Sequence, residues 1–117
     1  MEDFLYHYKA FVTRVIDGDT FECELDLGFK IKKSKVRVRL LGVNTPELHS
    51  KDAEEKKEAY RAKEFTKQEI DKKEVIIKSN KVDAFGRCLA IVYYKQGDDW
   101  INLNSLLLKK RLAKVYK

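Results

Sequence analysis

The stretch Val36-Arg37-Val38-Arg39-Leu40-Leu41-Gly42-Val43-Asn44-Thr45-Pro46-Glu47 decides the fold. Val36, Val38 and Leu40 alternate with Arg37, Arg39 and Leu41, so an extended backbone puts three aliphatic side chains on one face and two guanidinium groups on the other. Gly42 and Pro46 then break the period, and the chain must turn. The reading is a strand with one buried face, running into a loop that offers an amide oxygen, a backbone carbonyl and a carboxylate within four residues.

Working outward, the same punctuated alternation recurs. The strand extends back to about Phe29 and forward to Val43, and its lysine-rich early half reads as a loop or a sheet edge. Gly28 separates it from a strand over Thr20–Leu27, with Phe21, Cys23, Leu25 and Leu27 on one face. Asp17-Gly18-Asp19 is a turn, and Lys9–Ile16, rich in β-branched and aromatic residues, is the first strand. Downstream, Asp52 followed by Glu55 resembles a capping box. Ala59, Ala62, Phe65 or Thr66, and Ile70 then recur at helical spacing and predict a helix to about Asp71. Glu74–Ser79 and Cys88–Lys95 read as strands four and five, and Gln96–Asp99 as a turn. Asn102–Lys110 reads as a short amphipathic helix carrying Leu103, Leu106 and Leu107. These elements predict one domain over 1–117. Its fold is a five-stranded β-barrel of the OB type, with one helix between strands three and four and a short C-terminal helix.

The chain has 117 residues and a formal net charge of +6, a balance that favours polyanionic partners. The charge is clustered: Phe29–Leu41 holds six basic residues and no acid, and Trp100–Lys117 holds five and no acid. A solvated lysine-rich surface is the plainer reading. No window of eighteen apolar residues exists, which excludes a membrane-spanning helix. The N-terminus lacks a basic start and an apolar segment, so no signal peptide is read; the expected location is cytoplasmic, or secreted if a leader was removed. Cys23 and Cys88 lie in apolar strand-like runs without CxxC spacing and read as buried reduced thiols. His7 and His49 have no partners at metal-ligand spacing and read as surface residues.

Three clusters carry chemistry. Asp17 and Asp19, at i and i+2 in a turn, aim carboxylates at one point, as a hard cation such as calcium requires; the plainer reading is a hairpin Asp-Gly. Arg39, read as inward-facing at the end of its strand, leads into Asn44-Thr45-Pro46-Glu47. Its planar fork suits a phosphate, and a carboxylate beside a metal can deprotonate water. The plainer reading is a strand end, a proline turn and a surface glutamate. Asp83-Ala84-Phe85-Gly86-Arg87 adds a tight turn and a second guanidinium, and two arginines around one phosphate balance the charge that develops in phosphoryl transfer. Alone it is an ordinary hairpin.

Taken in order, Val-Ile-Asp-Gly-Asp-Thr, Val-Arg-Leu-Leu-Gly-Val-Asn-Thr-Pro-Glu, Phe-Gly-Arg before an apolar strand, and Leu-Ala-Lys-Val-Tyr resemble the staphylococcal nuclease-like (thermonuclease) family from about Lys9 to Lys117. The resemblance implies an OB barrel that binds one Ca2+ and cleaves DNA and RNA, single strands preferentially, between phosphorus and the 5′ oxygen to leave 3′-phosphates. It implies Asp19 as a calcium ligand, Thr45 as a ligand through its carbonyl, and Asp17 close by. Glu47 would activate the water, and Arg39 and Arg87 would bind the phosphate. A monomer is expected, with a dimer as the alternative.

The sequence departs from the family pattern at several points. Asn44 stands where an aspartate ligand is usual, which implies weaker metal affinity. Ala84 and Phe85 replace a Lys-Tyr pair, Phe85 keeping the ring for stacking. Tyr116 alone remains of a tyrosine pair near the C-terminus and is expected, with Phe85, to bind substrate, and Arg111 stands where a glycine is usual. The chain stops before the position of the family's final helix. The rival readings are an OB-fold nucleic-acid-binding module with weakened catalysis, using rings such as Phe85, Tyr93, Tyr94 and Trp100, and a protein-binding scaffold.

Overall fold

The computed structural model describes residues 5–116; Met1–Phe4, part of the segment read against a signal peptide, and Lys117 lie outside the described residues. Eight strands and two helices follow in the order β1 (His7–Asp17), β2 (Thr20–Asp26), β3 (Lys32–Leu40), β4 (Val43–Asn44), α1 (Ala53–Ile70), β5 (Glu74–Val82), β6 (Cys88–Gln96), β7 (Asp99–Asn102), α2 (Leu103–Lys109) and β8 (Lys114–Val115).

The five long strands form the barrel. Antiparallel pairing links them in the order β3-β2-β1-β5-β6, and a parallel contact between β3 and β6 closes the ring. In that seam Val38 faces Cys88, Arg39 faces Leu89 and Leu40 faces Ala90. Closure leaves these strands without a long free edge. The alternation read in Val36–Leu40 places its aliphatic residues inside: Val36, Val38 and Leu40 are buried with Phe21, Cys23, Leu25, Val12, Ile77 and Val92.

Helix α1 caps one end of the barrel with Ala59, Ala62, Thr66 and Ile70, all buried; Phe65 is half-buried against the core. The Asp52 side chain accepts the Glu54 N–H at 3.0 Å, so the expected N-cap forms. The box does not close. Glu55 instead accepts the Ser50 hydroxyl at 2.9 Å and the Glu47 N–H at 3.4 Å, drawing the loop before the helix onto its first turn. Helix α2 starts on Asn102, which caps the Ser105 N–H at 3.0 Å. It ends in a Schellman pattern: Arg111 has φ +59°, its N–H donates to Leu108 O at 3.1 Å, and the Leu112 N–H donates to Leu107 O at 2.9 Å. Arg111 thus holds the left-handed position where a glycine is least strained.

The structure revises four boundaries. Strand two stops at Asp26, so Leu27 is exposed rather than aligned with the core. The Phe29–Ile31 segment, read into strand three, is a hairpin tip, and the strand itself stops at Leu40. Gly42, with φ +78°, turns the chain into the separate strand β4, which pairs with β8. Asp99 belongs to β7 rather than to a turn, and Trp100 is exposed there.

Candidate active site

The β1–β2 turn and the loop after β3 meet at one end of the barrel. Gly18 makes the meeting possible: a Cβ there would lie 2.8 Å from Ala62 Cβ and 2.9 Å from Thr45 Cγ2. The Thr66 hydroxyl donates to Gly18 O at 2.8 Å, tying the turn to α1. Asp19 is buried. Its Oδ1 accepts the Thr20 hydroxyl at 3.0 Å, and its Oδ2 accepts the Thr45 N–H at 3.0 Å. One carboxylate therefore pins the Asn44–Glu47 loop to the turn that carries it.

Arg39 is the hub of the cluster. It lies on the face opposite the core, so it is not inward in the barrel sense. It is covered because the loop folds back over it: Nη1 donates to Leu40 O at 2.9 Å and to Val43 O at 2.7 Å, and Nη2 donates to Asn44 Oδ1 at 3.1 Å. Nη2 also lies 3.4 Å from Asp19 Oδ2, with both side chains about nine-tenths buried. The Tyr116 ring sits 5.7 Å from its Cζ, while the Tyr116 N–H donates to Gly42 O at 3.0 Å. An arginine whose donors are largely fixed by backbone carbonyls presents its remaining face in a set orientation.

Asp17 lies within electrostatic reach of Asp19 and Glu47. Burial pushes the Asp17 carboxyl above its ordinary value, and Asp19 and Glu47 push it the same way, against the opposing pull of Lys63 and His49. His49 is exposed and lies on the same side of the site. Like charges packed this way carry a repulsion that a cation relieves. The donors suit a hard ion chemically, being carboxylate, amide and carbonyl oxygens. Among the described residues no three His, Cys, Asp or Glu side chains converge closely enough to hold a metal by themselves, and Asn44 Oδ1 is engaged by Arg39. A bound ion would rely on the Asp19 and Asp17 carboxylates, a backbone carbonyl such as that of Thr45, and water.

Arg87 stands apart from this group. Its Nε donates to Asp83 Oδ2 at 2.7 Å and its N–H to Asp83 Oδ1 at 2.9 Å, and its Cζ lies 5.4 Å from the Phe85 ring. Desolvation raises the Asp83 carboxyl, but hydrogen bonds from Arg87 and Phe85 outweigh it and hold it below its ordinary value. The β3–β6 seam nonetheless puts Arg87 near Arg39. Leu89 pairs with Arg39, so alternation places Arg87 on the same outer face, two residues or about 7 Å along. Of the other candidate rings, Phe85 is exposed at the hairpin tip, whereas Tyr94 is buried and donates its hydroxyl to Glu69 Oε1 at 3.0 Å. Tyr94 is a core residue, not a stacking surface.

Sequence reading missed the second layer. Asn104, buried in α2, accepts the Val92 N–H at 3.0 Å and donates to Leu41 O at 2.8 Å and to Ala90 O at 3.0 Å, locking the end of β3 to β6. Its only signal was a polar residue between leucines on a helix. Thr66 and Glu55 likewise act from α1.

The chain is similar to known proteins. The family model described as staphylococcal nuclease homologue matches residues 37–117, which takes in Arg39, the Asn44–Glu47 loop, Arg87 and Tyr116. An uncharacterised protein of Methanocaldococcus jannaschii is 35% identical over 94% of this chain and 60% of its own length. A thermonuclease of Staphylococcus intermedius is 34% identical over 89% of this chain and 57% of its own. A micrococcal nuclease of Shigella flexneri is 27% identical over 94% and 59%. The chain thus spans about three fifths of the length of the curated relatives it matches. No helix among the described residues is long and apolar enough to cross a membrane. With more than half of the chain matched by that model, and the matched part carrying the arginine hub and its loop, the protein belongs to the staphylococcal nuclease homologue family.

Proposed function

We propose that the chain is a calcium-dependent nuclease that hydrolyses phosphodiester bonds of DNA and RNA. The observation that carries this is the buried Asp19 carboxylate, which lies 3.4 Å from Arg39 Nη2 and accepts the Thr45 N–H at 3.0 Å, with Asp17 and Glu47 within electrostatic reach. Asp19 and the Thr45 carbonyl, supported by Asp17 and water, would hold Ca2+, while the Asn44 amide expected as a further ligand is engaged by Arg39 Nη2. The bound ion would supply positive charge against phosphate oxygens and lower the pKa of water.

Arg39 binds the non-bridging oxygens of the scissile phosphate with the N–H groups left over from its carbonyl contacts. Arg87 leaves Asp83 to reach the same group, and the two guanidinium groups balance the charge that builds up as the water oxygen bonds to phosphorus. Glu47 takes the proton from that water. The phosphorus–O5′ bond breaks, the departing 5′ oxygen takes up a proton from solvent water, and a 3′-phosphate remains. Tyr116 and Phe85 receive flanking bases by stacking, which favours single strands. The domain acts as a monomer.

A second reading is a nucleic-acid-binding module with weakened catalysis. It is favoured by Asn44, which removes one negative charge from the cation site, and by Arg87 being paired with Asp83. Cleavage of single-stranded DNA with and without calcium decides between them. The nuclease reading expects calcium-dependent cleavage, reduced by orders of magnitude in Glu47→Ala and in Arg39→Ala. Salt-sensitive binding without cleavage at any calcium concentration would overturn it in favour of the second.

A further inference from the structure

At the other end of β1, β2 and β3, away from Asp19 and Arg39, a cavity of about 450 Å³ opens, within the range of small-ligand pockets. It is lined by Tyr6 and Tyr8, by the apolar Leu25 and Leu27, and by Lys33 and Lys81.

Lys33 reaches this mouth because β3 is bulged. Cys23 faces Val36 and Leu25 faces Lys33, so Ser34 and Lys35 oppose Glu24 alone; Lys35 takes φ +58°. A bulge re-aims the side chains beyond it. Directly paired residues share a face, and Leu25 is buried in the barrel. Lys33 is therefore delivered to the interior side of the mouth, while Arg37 and Arg39 face outward. Neither Lys33 nor Lys81 forms an ion pair among the described residues. The acids nearby are engaged: Glu24 lies 3.6 Å from Lys32, Asp26 accepts the Gly28 N–H at 2.9 Å, and Asp83 holds Arg87.

The β2–β3 hairpin tip beside this mouth adds an aromatic that the fold does not use. The Leu27 N–H donates to Ile31 O at 2.8 Å and the Ile31 N–H to Gly28 O at 2.9 Å. Phe29 and Lys30 between them take φ +56° and +65°, a turn that prefers Asn-Gly. Phe29 is 97% exposed. It serves neither the turn nor the core.

We propose that this barrel mouth is a second nucleotide subsite, which binds a distal base and phosphate of the same single strand whose scissile phosphodiester lies at Asp19 and Arg39. Rings stack on the flat face of any base, and ammonium groups without an ion pair among the described residues attract phosphate. The inference rests on the nuclease reading for the strand's other end. From Arg39 back to Lys33 is six residues of strand, about 20 Å, so only a strand of several nucleotides reaches both. Arg87, next to the cavity residue Cys88, lies between them.

The test is fluorescence anisotropy with a labelled oligothymidylate of about 12 nucleotides, within the site size of an OB barrel. Wild type is compared with Phe29→Asn, which suits the left-handed turn, and with the Lys33→Gln/Lys81→Gln pair, thermal melting confirming that each is folded. Phe29→Asn is expected to weaken binding roughly five- to hundredfold. The lysine pair should lower the log–log salt slope by about 1.4. Cleavage of a dinucleotide should stay at the wild-type rate in both. Unchanged affinity and slope in both variants would overturn the subsite. So would variants that lose only binding to anionic phospholipid vesicles, which would assign the hairpin to a membrane surface. If wild type cleaves nothing, the nuclease reading falls while anisotropy still reads the subsite, so the two failures are distinct.

Discussion

Placing one methyl group on Gly18 tests the link between fold and site most directly. The new Cβ would sit 2.8 Å from Ala62 Cβ, 2.9 Å from Thr45 Cγ2 and 3.1 Å from the Ala62 carbonyl carbon. Carbon atoms rest about 3.5–4.0 Å apart, so α1 must give by about 0.7 Å or more and the Thr45 loop by about 0.6 Å or more. Both neighbours are buried and cannot swing into solvent. Gly18 is not in the left-handed region, so alanine's backbone is tolerated and the penalty is steric. Overpacking costs about 1–3 kcal/mol, and the reduced freedom of the unfolded chain returns about 0.4–1 kcal/mol. Gly18→Ala should therefore lose about 1–2 kcal/mol in urea denaturation. Thr45 carries the N–H that fixes Asp19, and a displacement approaching 1 Å at a reacting centre costs about a hundredfold in rate. Ala62→Gly alone should cost about 1 kcal/mol as a helix-interior glycine, yet it vacates the space the new methyl needs. The double variant should thus be more stable than the sum of the two singles predicts. Strict additivity, or a Gly18→Ala protein within about 0.5 kcal/mol of wild type, is the result that would refute this reasoning.

Three further predictions follow from the same geometry. Asp17 has its folded pKa raised above the ordinary 3.8, so the native state binds its proton more tightly than the unfolded chain does. Stability then falls as pH rises from that value through the raised one, and the full cost is present at neutral pH. Asp17→Asn removes the cost: in calcium-free buffer its urea midpoint should exceed that of wild type at neutral pH, and the difference should vanish at pH values below both pKa values. Asn104→Ala leaves a buried N–H and two carbonyls without their partner and should cost about 3 kcal/mol in chemical denaturation. Arg111→Gly relieves a left-handed side chain and should gain about 0.5–1 kcal/mol in the same assay.

The barrel was legible because its strands are punctuated and one face of each is apolar. The Val36–Leu40 alternation, the Gly28 and Gly42 breaks and the α1 stripe all reappear in the structure. What the sequence did not disclose depends on contacts between distant residues. The parallel β3–β6 seam joins residues about fifty positions apart, and no local pattern encodes it. The two-residue strands β4 and β8 exist only because Val43 meets Val115 and Asn44 meets Lys114. The bulge at Ser34–Lys35 hid inside a lysine run that read as loop or edge. In the candidate site, Asp19, Thr45 and Arg39 were legible as chemistry, and they do converge. Arg87 stands apart from them, and its contact with Asp83, only four residues before it, gave no sign in the sequence. Thr66, Glu55 and Asn104 escaped because an ordinary polar residue on a helix gives no sign of the backbone group it will meet.

Asn44 links two properties of the site that a carboxylate would set differently. Its Oδ1 accepts from Arg39 Nη2 at 3.1 Å, a single contact to a neutral oxygen. An aspartate at this position would add a charge-assisted and potentially bidentate pair, roughly twice as strong per bond, to an arginine that already has Asp19 at 3.4 Å. Without another cation nearby, such a side chain would hold Arg39 more firmly and leave fewer of its N–H groups for a phosphate. It would also add a fourth negative charge to the Asp17, Asp19 and Glu47 cluster, deepening the repulsion that already raises Asp17. The amide keeps the guanidinium oriented while leaving it exchangeable, and it lowers the charge available to a divalent ion. On the proposed nuclease reading, cation affinity and arginine availability at this end of the barrel would therefore be coupled through one side chain, and a change at position 44 would move both together.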